Sequence, residues 1–475
     1  MTARRTTLLA GGTAAAALLP LPALAADAFH LDGAGLGLAW VLPFAGLLLS
    51  IAVCPLFLPR FWHHHYGKVS LFWSLCVLLP MLVAGGPALT LYEVLHTALL
   101  EFIPFIILLL ALFTVTGGLR VVTSARGTPA FNTGLLAFGT VLASWTGTTG
   151  AAMALIRPLL RANAHRAHQA HVVVFFIFLV ANVGGALTPL GDPPLFLGFL
   201  KGVPFFWPTV HLLLPMVVAA VLLLAVFFAL DSWYARREPA AAAPAAAAGG
   251  RLRIEGNINL ILLLGIIGAV LLSGTWRSGI GLTVFHVEVM LEDIVRSLLL
   301  LLLAAASLVL TPRAIRQANE FSWFPMVEVA KLFAGIFITI VPALAILRAG
   351  RDGALALVVD AVTGADGQPI DAMYFWLTGL LSSFLDNAPT YLVFFNIAGG
   401  DPAVLTGPLA TTLAAISAGA VFMGANTYIG NAPNFMVRAI AEEQGVRMPS
   451  FFGYMGWSVA VLIPTFALLT LLFFR

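Results

Sequence analysis

Apolar runs of about twenty residues, the length that crosses a bilayer at 1.5 Å per residue, recur along the whole chain. They run 36–58, 69–84, 94–116, 209–230, 258–272, 294–310, 333–347 and 452–475. Four further stretches are apolar but too long or too interrupted for one plain span. Residues 131–160 and 372–400 each cover about thirty positions with a polar centre, Ser144-Trp145-Thr146-Gly147-Thr148-Thr149-Gly150 and Ser383-Phe384-Leu385-Asp386-Asn387-Ala388-Pro389-Thr390. Both predict a re-entrant helical hairpin, because a non-helical tip at membrane depth survives only inside protein or beside water. Residues 172–200 and 411–440 are broken by Gly and Pro. The first break, Asn182 to Pro194, holds three glycines and three prolines in thirteen residues and cannot be continuous helix. The pattern predicts an all-α polytopic membrane protein with about ten spans.

Composition sharpens this picture. The 475 residues are 60% hydrophobic and 9% charged, with a mean hydropathy of +1.00, where a soluble domain carries about 25% charged residues. The net charge of +3 is dispersed over loops, which argues against a nucleic-acid surface. Cys54 and Cys76 lie in apolar runs and read as bystander thiols. Arg4-Arg5, the apolar stretch 8–24 and Ala23-Leu24-Ala25 read as a secretory signal over residues 1–25, or as an uncleaved first helix. Most of the 24 Lys and Arg residues fall in alternate loops, which predicts a cytoplasmic side. That side carries Arg60 to Lys68 with His63-His64-His65 as a hydrated loop, and an Ala/Pro-rich linker over 231–257 between a first half, 36–230, and a second half, 258–475.

The two halves align without gaps. Ser144 matches Ser383, Gly191 matches Gly430 and Pro194 matches Pro433, each at an offset of 239 residues. With the first hairpin flanked by cytoplasmic arginines and the second by outside loops, this is an inverted-repeat transporter whose site lies where the interrupted elements meet.

The repeat is asymmetric in its charges. Gly147-Thr148 in the first tip stands opposite Asp386-Asn387 in the second, and Asp192 in the first break stands opposite Asn431 in the second. Two carboxylates therefore converge, Asp386 and Asp192, both candidates to bind sodium. Thr148, Thr188, Thr390 and Thr427 supply hard oxygen donors, and Ser144, Ser383, Asn182, Asn426, Asn387 and Asn431 line the same stretches. A charge at mid-membrane costs about 2.5–3.5 kcal/mol, which marks it as functional. A proton and a metal exclude each other at a shared oxygen, so the pair suits cation/proton exchange. The competing reading makes each Asp a helix N-cap, the more so for Asp192, which directly precedes Pro193-Pro194. Glu101 is a candidate proton relay beside Glu93 and His96. Glu328 and Lys331 are spaced to pair locally. No zinc spacing, nucleophile elbow or phosphate loop occurs, so no enzyme and no cofactor are expected.

The hairpin 383–390 and the break 184–192, Gly-Gly-Ala-Leu-Thr-Pro-Leu-Gly-Asp, resemble the NhaD-type sodium/proton antiporters of the ion transporter superfamily, which also holds citrate and dicarboxylate carriers. The resemblance implies a homodimer in a bacterial-type inner membrane, with a transport domain moving against a scaffold. It places Asp386, Asn387 and Asp192 on motif positions. The first tip departs from the antiporter pattern by lacking an Asp-Asn element, which points to a divergent branch such as the citrate carriers. Transported species are then Na⁺ or Li⁺ against protons, or a small carboxylate, free or as a metal–citrate complex, with sodium as the coupling ion.

Overall fold

A computed structural model describes residues 31–238 and 252–475. The signal region and the Ala/Pro run of the linker lie outside them. The first half contains α1 (Leu42–Phe57), α2 (Pro59–Thr97), α3 (Ile103–Thr116), strand β1 (Arg120–Thr123), α4 (Pro129–Thr146), α5 (Thr148–Asn163), α6 (Ala170–Leu179), α7 (Pro193–Leu200) and α8 (Trp207–Arg237). The second contains β2 (Leu252–Glu255), α9 (Ile258–Thr275), β3 (Gly281–Val284), β4 (Val287–Met290), α10 (Leu291–Leu310), α11 (Arg313–Ala318), α12 (Phe324–Arg348) and α13 (Ala356–Ala361). It closes with α14 (Asp371–Ser382), α15 (Asn387–Ile397), α16 (Pro402–Thr406), α17 (Ala410–Met423), α18 (Ala432–Glu443), α19 (Phe451–Trp457) and α20 (Ile463–Phe473). The protein is an all-α polytopic membrane protein. Among the described residues seven helical stretches are long and apolar enough to cross a membrane, with two shorter apolar helices at 170–186 and 410–426.

The longest of the seven, 59–116, reverses direction at Gly86, whose φ of 79° and ψ of 172° leave the helix in a region that favours glycine. Contacts with α12 show the reversal. His63 stacks near Phe324 and the Ser70 hydroxyl donates to the Lys331 carbonyl, so this part of α2 runs alongside α12 in the same direction. Beyond the turn, Phe102 meets Phe337 and Phe105 meets Phe333, the opposite direction. A π-helical turn, Ala98–Phe102, joins α2 to α3.

The two broken helices occupy the centre. Residues 171–179 of α6 and 412–423 of α17 are buried around their whole circumference, as expected of core helices that are apolar on all sides. α14 packs on α17 and α4 on α5, while α10 lies on α3 and α9. α9 and α10 turn Ile261, Leu264 and Leu302 outward, where lipid replaces water as the solvent.

Three local expectations change, and one element is new. His63-His64-His65 lies within α2, because Pro59 at its first turn starts the helix before them. Residues 231–237 continue α8 rather than opening a linker, and Asp231 is fully buried. Lys331 places its ammonium over the Tyr66 ring instead of joining Glu328. Between α9 and α10 the chain forms a β-hairpin, β3 paired antiparallel with β4, turned by Phe285 and His286 at positive φ. That is the geometry of a two-residue I′ turn, at non-glycine residues. Cys54 and Cys76 are free.

Candidate functional site

Each half brings a helical hairpin against a broken helix, and the 239-residue offset reappears bond by bond. In the first half the Thr188 hydroxyl donates to the Ser144 carbonyl at 2.5 Å, and in the second Thr427 donates to Ser383 at 2.5 Å. Ser144 Oγ donates to the Gly184 carbonyl and Ser383 Oγ to the Met423 carbonyl, the offset position. Asp192 and Asn431 hold nearly the same backbone, φ −144° and ψ 145° against φ −147° and ψ 139°. Each break also closes on itself, so that a Cβ at Gly191 or Gly430 would collide with the carbonyl of Gly185 or Gly424. Only glycine fits both places.

These bonds engage several of the candidate residues. The hydroxyls of Thr188 and Thr427 also accept backbone N–H groups, from Leu190 and from Ile429 and Gly430. Together with Ser144 and Ser383 they fasten tip to break. Thr390 donates to the Asp386 carbonyl. Asn426 donates to Ser383 Oγ at 2.9 Å, and its Oδ1 is buried without a hydrogen-bond partner.

The two carboxylates sit differently. Asp192 is 2% exposed and accepts three side-chain hydrogen bonds from three other elements. Thr148 Oγ1 donates to Oδ1 at 3.0 Å, Asn387 Nδ2 to Oδ2 at 2.7 Å, and Asn431 Nδ2 to Oδ1 at 3.4 Å. Asn387 is held in turn by the Ser382 hydroxyl on its Oδ1 at 2.7 Å. Asp386 is half-buried, and its carboxylate accepts the Ala388 N–H at 3.1 Å, capping α15. The helix-cap reading thus belongs to Asp386 rather than to Asp192. The reason is local: a cap accepts from the second or third helical N–H, but the second residue of α7 is Pro194, which has none, and the third, Leu195, gives its N–H to the Asp192 backbone carbonyl at 3.1 Å. Asp192 makes no side-chain cap bond and turns its carboxylate to the centre. Asp386 lies within electrostatic reach of it.

Glu101, in the π-helical turn, forms an ion pair with Lys201. Lys201 follows the far end of α7, about 12 Å of helix from Asp192 at 1.5 Å per residue. The pair therefore ties the π-helical turn before α3 to the end of α7, away from the centre.

Residues outside the sequence-derived set also contribute. Asn434, fully buried, donates to the carbonyls of Gly424 and Thr427 and accepts from Asn182. Its place as the fourth of four polar or helix-starting residues, Asn431-Ala432-Pro433-Asn434, was its only sequence signal. Among the described residues no group of three His, Cys, Asp or Glu side chains is arranged to hold a metal ion. No Lys, Arg or His occurs in 144–150, 182–194, 383–390 or 424–434. The centre is therefore acidic and otherwise neutral. It offers carboxylate, amide and hydroxyl oxygens, with the N-termini of α5, α7, α15 and α18 beginning beside it.

No curated protein matches the chain. Residues 33–474, nearly its whole length, match the family described as "Putative citrate transport", and the chain belongs to that family.

Proposed function

We propose that this chain is a secondary active transporter of the inner (plasma) membrane that exchanges Na⁺ or Li⁺ for protons at Asp192 and Asp386. One observation carries the reading: a buried carboxylate reached by side chains of both repeats, a second carboxylate close by, and no cationic side chain in the four interrupted stretches. An ionised acid in such surroundings is costly unless a cation or a proton joins it. Proton and metal compete for the same oxygens, so each can be driven by the gradient of the other.

A second reading is favoured by the family description: transport of citrate or a related carboxylate, coupled to a cation held by the same acids. The four helix N-termini favour it too, since each carries about half a positive charge. Free citrate would meet two carboxylates and no side-chain cation. In this reading the cargo travels with its neutralising cation, as a metal–citrate complex or with coupled Na⁺ or protons.

Inverted vesicles with an imposed pH gradient separate the two. Exchange predicts that Na⁺ or Li⁺ dissipates the gradient with no organic anion present. Dissipation only after citrate is added would replace the exchange reading with the carboxylate one.

A further inference from the structure

The centre contains a chain of amides that crosses from one repeat to the other. Asn182 Nδ2 donates to Asn434 Oδ1 at 2.7 Å, and to the Ile177 carbonyl at 2.8 Å. Asn182 Oδ1 accepts from Asn431 Nδ2 at 3.2 Å, and that same Nδ2 points on to the Ala181 carbonyl and to Asp192 Oδ1. Asn182 and Asn434 are both fully buried, and Asn431 is 3% exposed. Asn434 is itself fixed by donating to Gly424 and Thr427, the carbonyls of its own break.

The repeat gives an internal control. At the offset of 239 residues Asn434 corresponds to Leu195, and Asn182 corresponds to Val421. Both counterparts are buried apolar residues. The fold of a half therefore needs no amide at either position. Two amides have been placed where the other half has Leu and Val, and they meet each other rather than a symmetric mate. Buried amides cost free energy unless fully bonded, and this pair is bonded in one direction only: oxygen toward the Asn431 amide group.

An amide can present either its N–H₂ or its oxygen. With Asn182 Oδ1 and the Ala181 carbonyl both facing it, at 3.2 and 3.1 Å, Asn431 turns its N–H₂ group inward, where the carboxylate it meets is that of Asp192. We infer that Asn434 and Asn182 are positioning residues that fix the polarity of Asn431 toward Asp192 and thereby set the cation affinity of the site, without touching the cation. The link to affinity rests on the exchange reading; the orientation of the amide does not.

The test replaces each amide by what its counterpart carries. Asn182→Val keeps the bonds of Asn434 to its own break, and Asn182→Val/Asn434→Leu removes both buried amides together, so at least one folded variant is expected. Purified protein is compared by infrared difference spectroscopy at alkaline pH, with the Asp192→Asn spectrum subtracted to isolate the Asp192 carboxylate band. Sodium-driven proton flux is then measured in proteoliposomes. The expected result is a displaced band together with an apparent KM for Na⁺ raised about fivefold, one hydrogen bond's worth, at a maximal rate within about twofold of wild type. An unmoved band in a folded variant overturns the inference, and so does a moved band with unchanged KM. Absence of Na⁺-driven flux in the wild type instead discards the exchange reading, and the band alone then decides the orientation of the amide.

Discussion

The two hairpins occupy equivalent places in the repeat and are anchored in opposite ways. The first has an uncharged tip, Gly147 at φ 80° followed by Thr148, and a heavily bonded base. At that base Asp231, fully buried, meets Arg166 at 2.5 Å, His171 Nε2 at 2.7 Å and Asn132 Nδ2 at 2.9 Å. Asn132 and Asn163 donate to each other's Oδ1, which locks the start of α4 to the end of α5. In the second hairpin the chemistry is at the tip, with Asp386 and Asn387, and the base is tied without a buried ion pair among the described residues: Arg348 Nε donates to Oδ1 of the buried Asn396 near the end of α15 at 2.8 Å. Asn132 corresponds there to Asp371, half-buried and bonded to the Thr412 hydroxyl at 2.6 Å. One hairpin is therefore held at its base by a buried ion pair and carries no charge at its tip, and the other is held by neutral bonds and by packing on α17 and carries the acid at its tip.

The largest expected effect removes the acid from the second tip. Asp386→Asn keeps the cap, because an amide oxygen also accepts the Ala388 N–H, but removes the charge. Flux in vesicles should drop to the background of empty vesicles, while size-exclusion behaviour stays that of wild type. Wild-type exchange in this variant would take Asp386 out of the mechanism. Asp192→Asn should also abolish flux, and it should melt earlier. Three donors face that carboxylate, and an amide there sets one N–H₂ group against another, at about 1–3 kcal/mol.

Next in size is the base of the first hairpin. Arg166→Met leaves Asp231 buried without its guanidinium partner, with only His171 and Asn132 still bonded to it, a change that costs about 3–5 kcal/mol. Thermal melting in detergent should show a large loss for this variant. Gly147→Ala tests the tip of the same hairpin: a side chain at φ 80° costs about 1–2 kcal/mol. A melt unchanged by Arg166→Met would mean that the first base is no stronger than the second.

Much of this architecture was legible because its signals are local. Glycine and proline runs announce breaks wherever they occur, and Ser144/Ser383 and Gly191/Gly430 announce the repeat by register alone. What escaped was set by partners far along the chain. The Asp192 carboxylate is held by Asn387, 195 residues away, and Asn431, 239 residues away. The repeat offset pairs Asp192 with Asn431 and both amides were among the candidates, but no spacing says that their N–H₂ groups converge on this one carboxylate. Asp231, Arg166 and His171 each look like polar residues at a membrane surface, and only the packing of α4, α5, α6 and α8 brings them into one buried network. The cap assignment was legible and misread: Pro194 has no N–H to give Asp192, whereas Ala388 has one to give Asp386.

The smallest expected effect is also the one that reads the comparison most directly. Asp371→Asn keeps an acceptor for the Thr412 hydroxyl and removes only the charge at a half-buried site, so its cost is about 1 kcal/mol or less, well below that of Arg166→Met. Hydrogen exchange of the wild type should place the two bases in the same order. Amides in the first turns of α14 should exchange faster than those of α4, because local opening follows the number of buried bonds that must break. Asp371→Asn should widen that gap while leaving α4 untouched, since the two bases share no residue. If α4 instead exchanges as fast as α14, the buried ion pair does not hold the first hairpin.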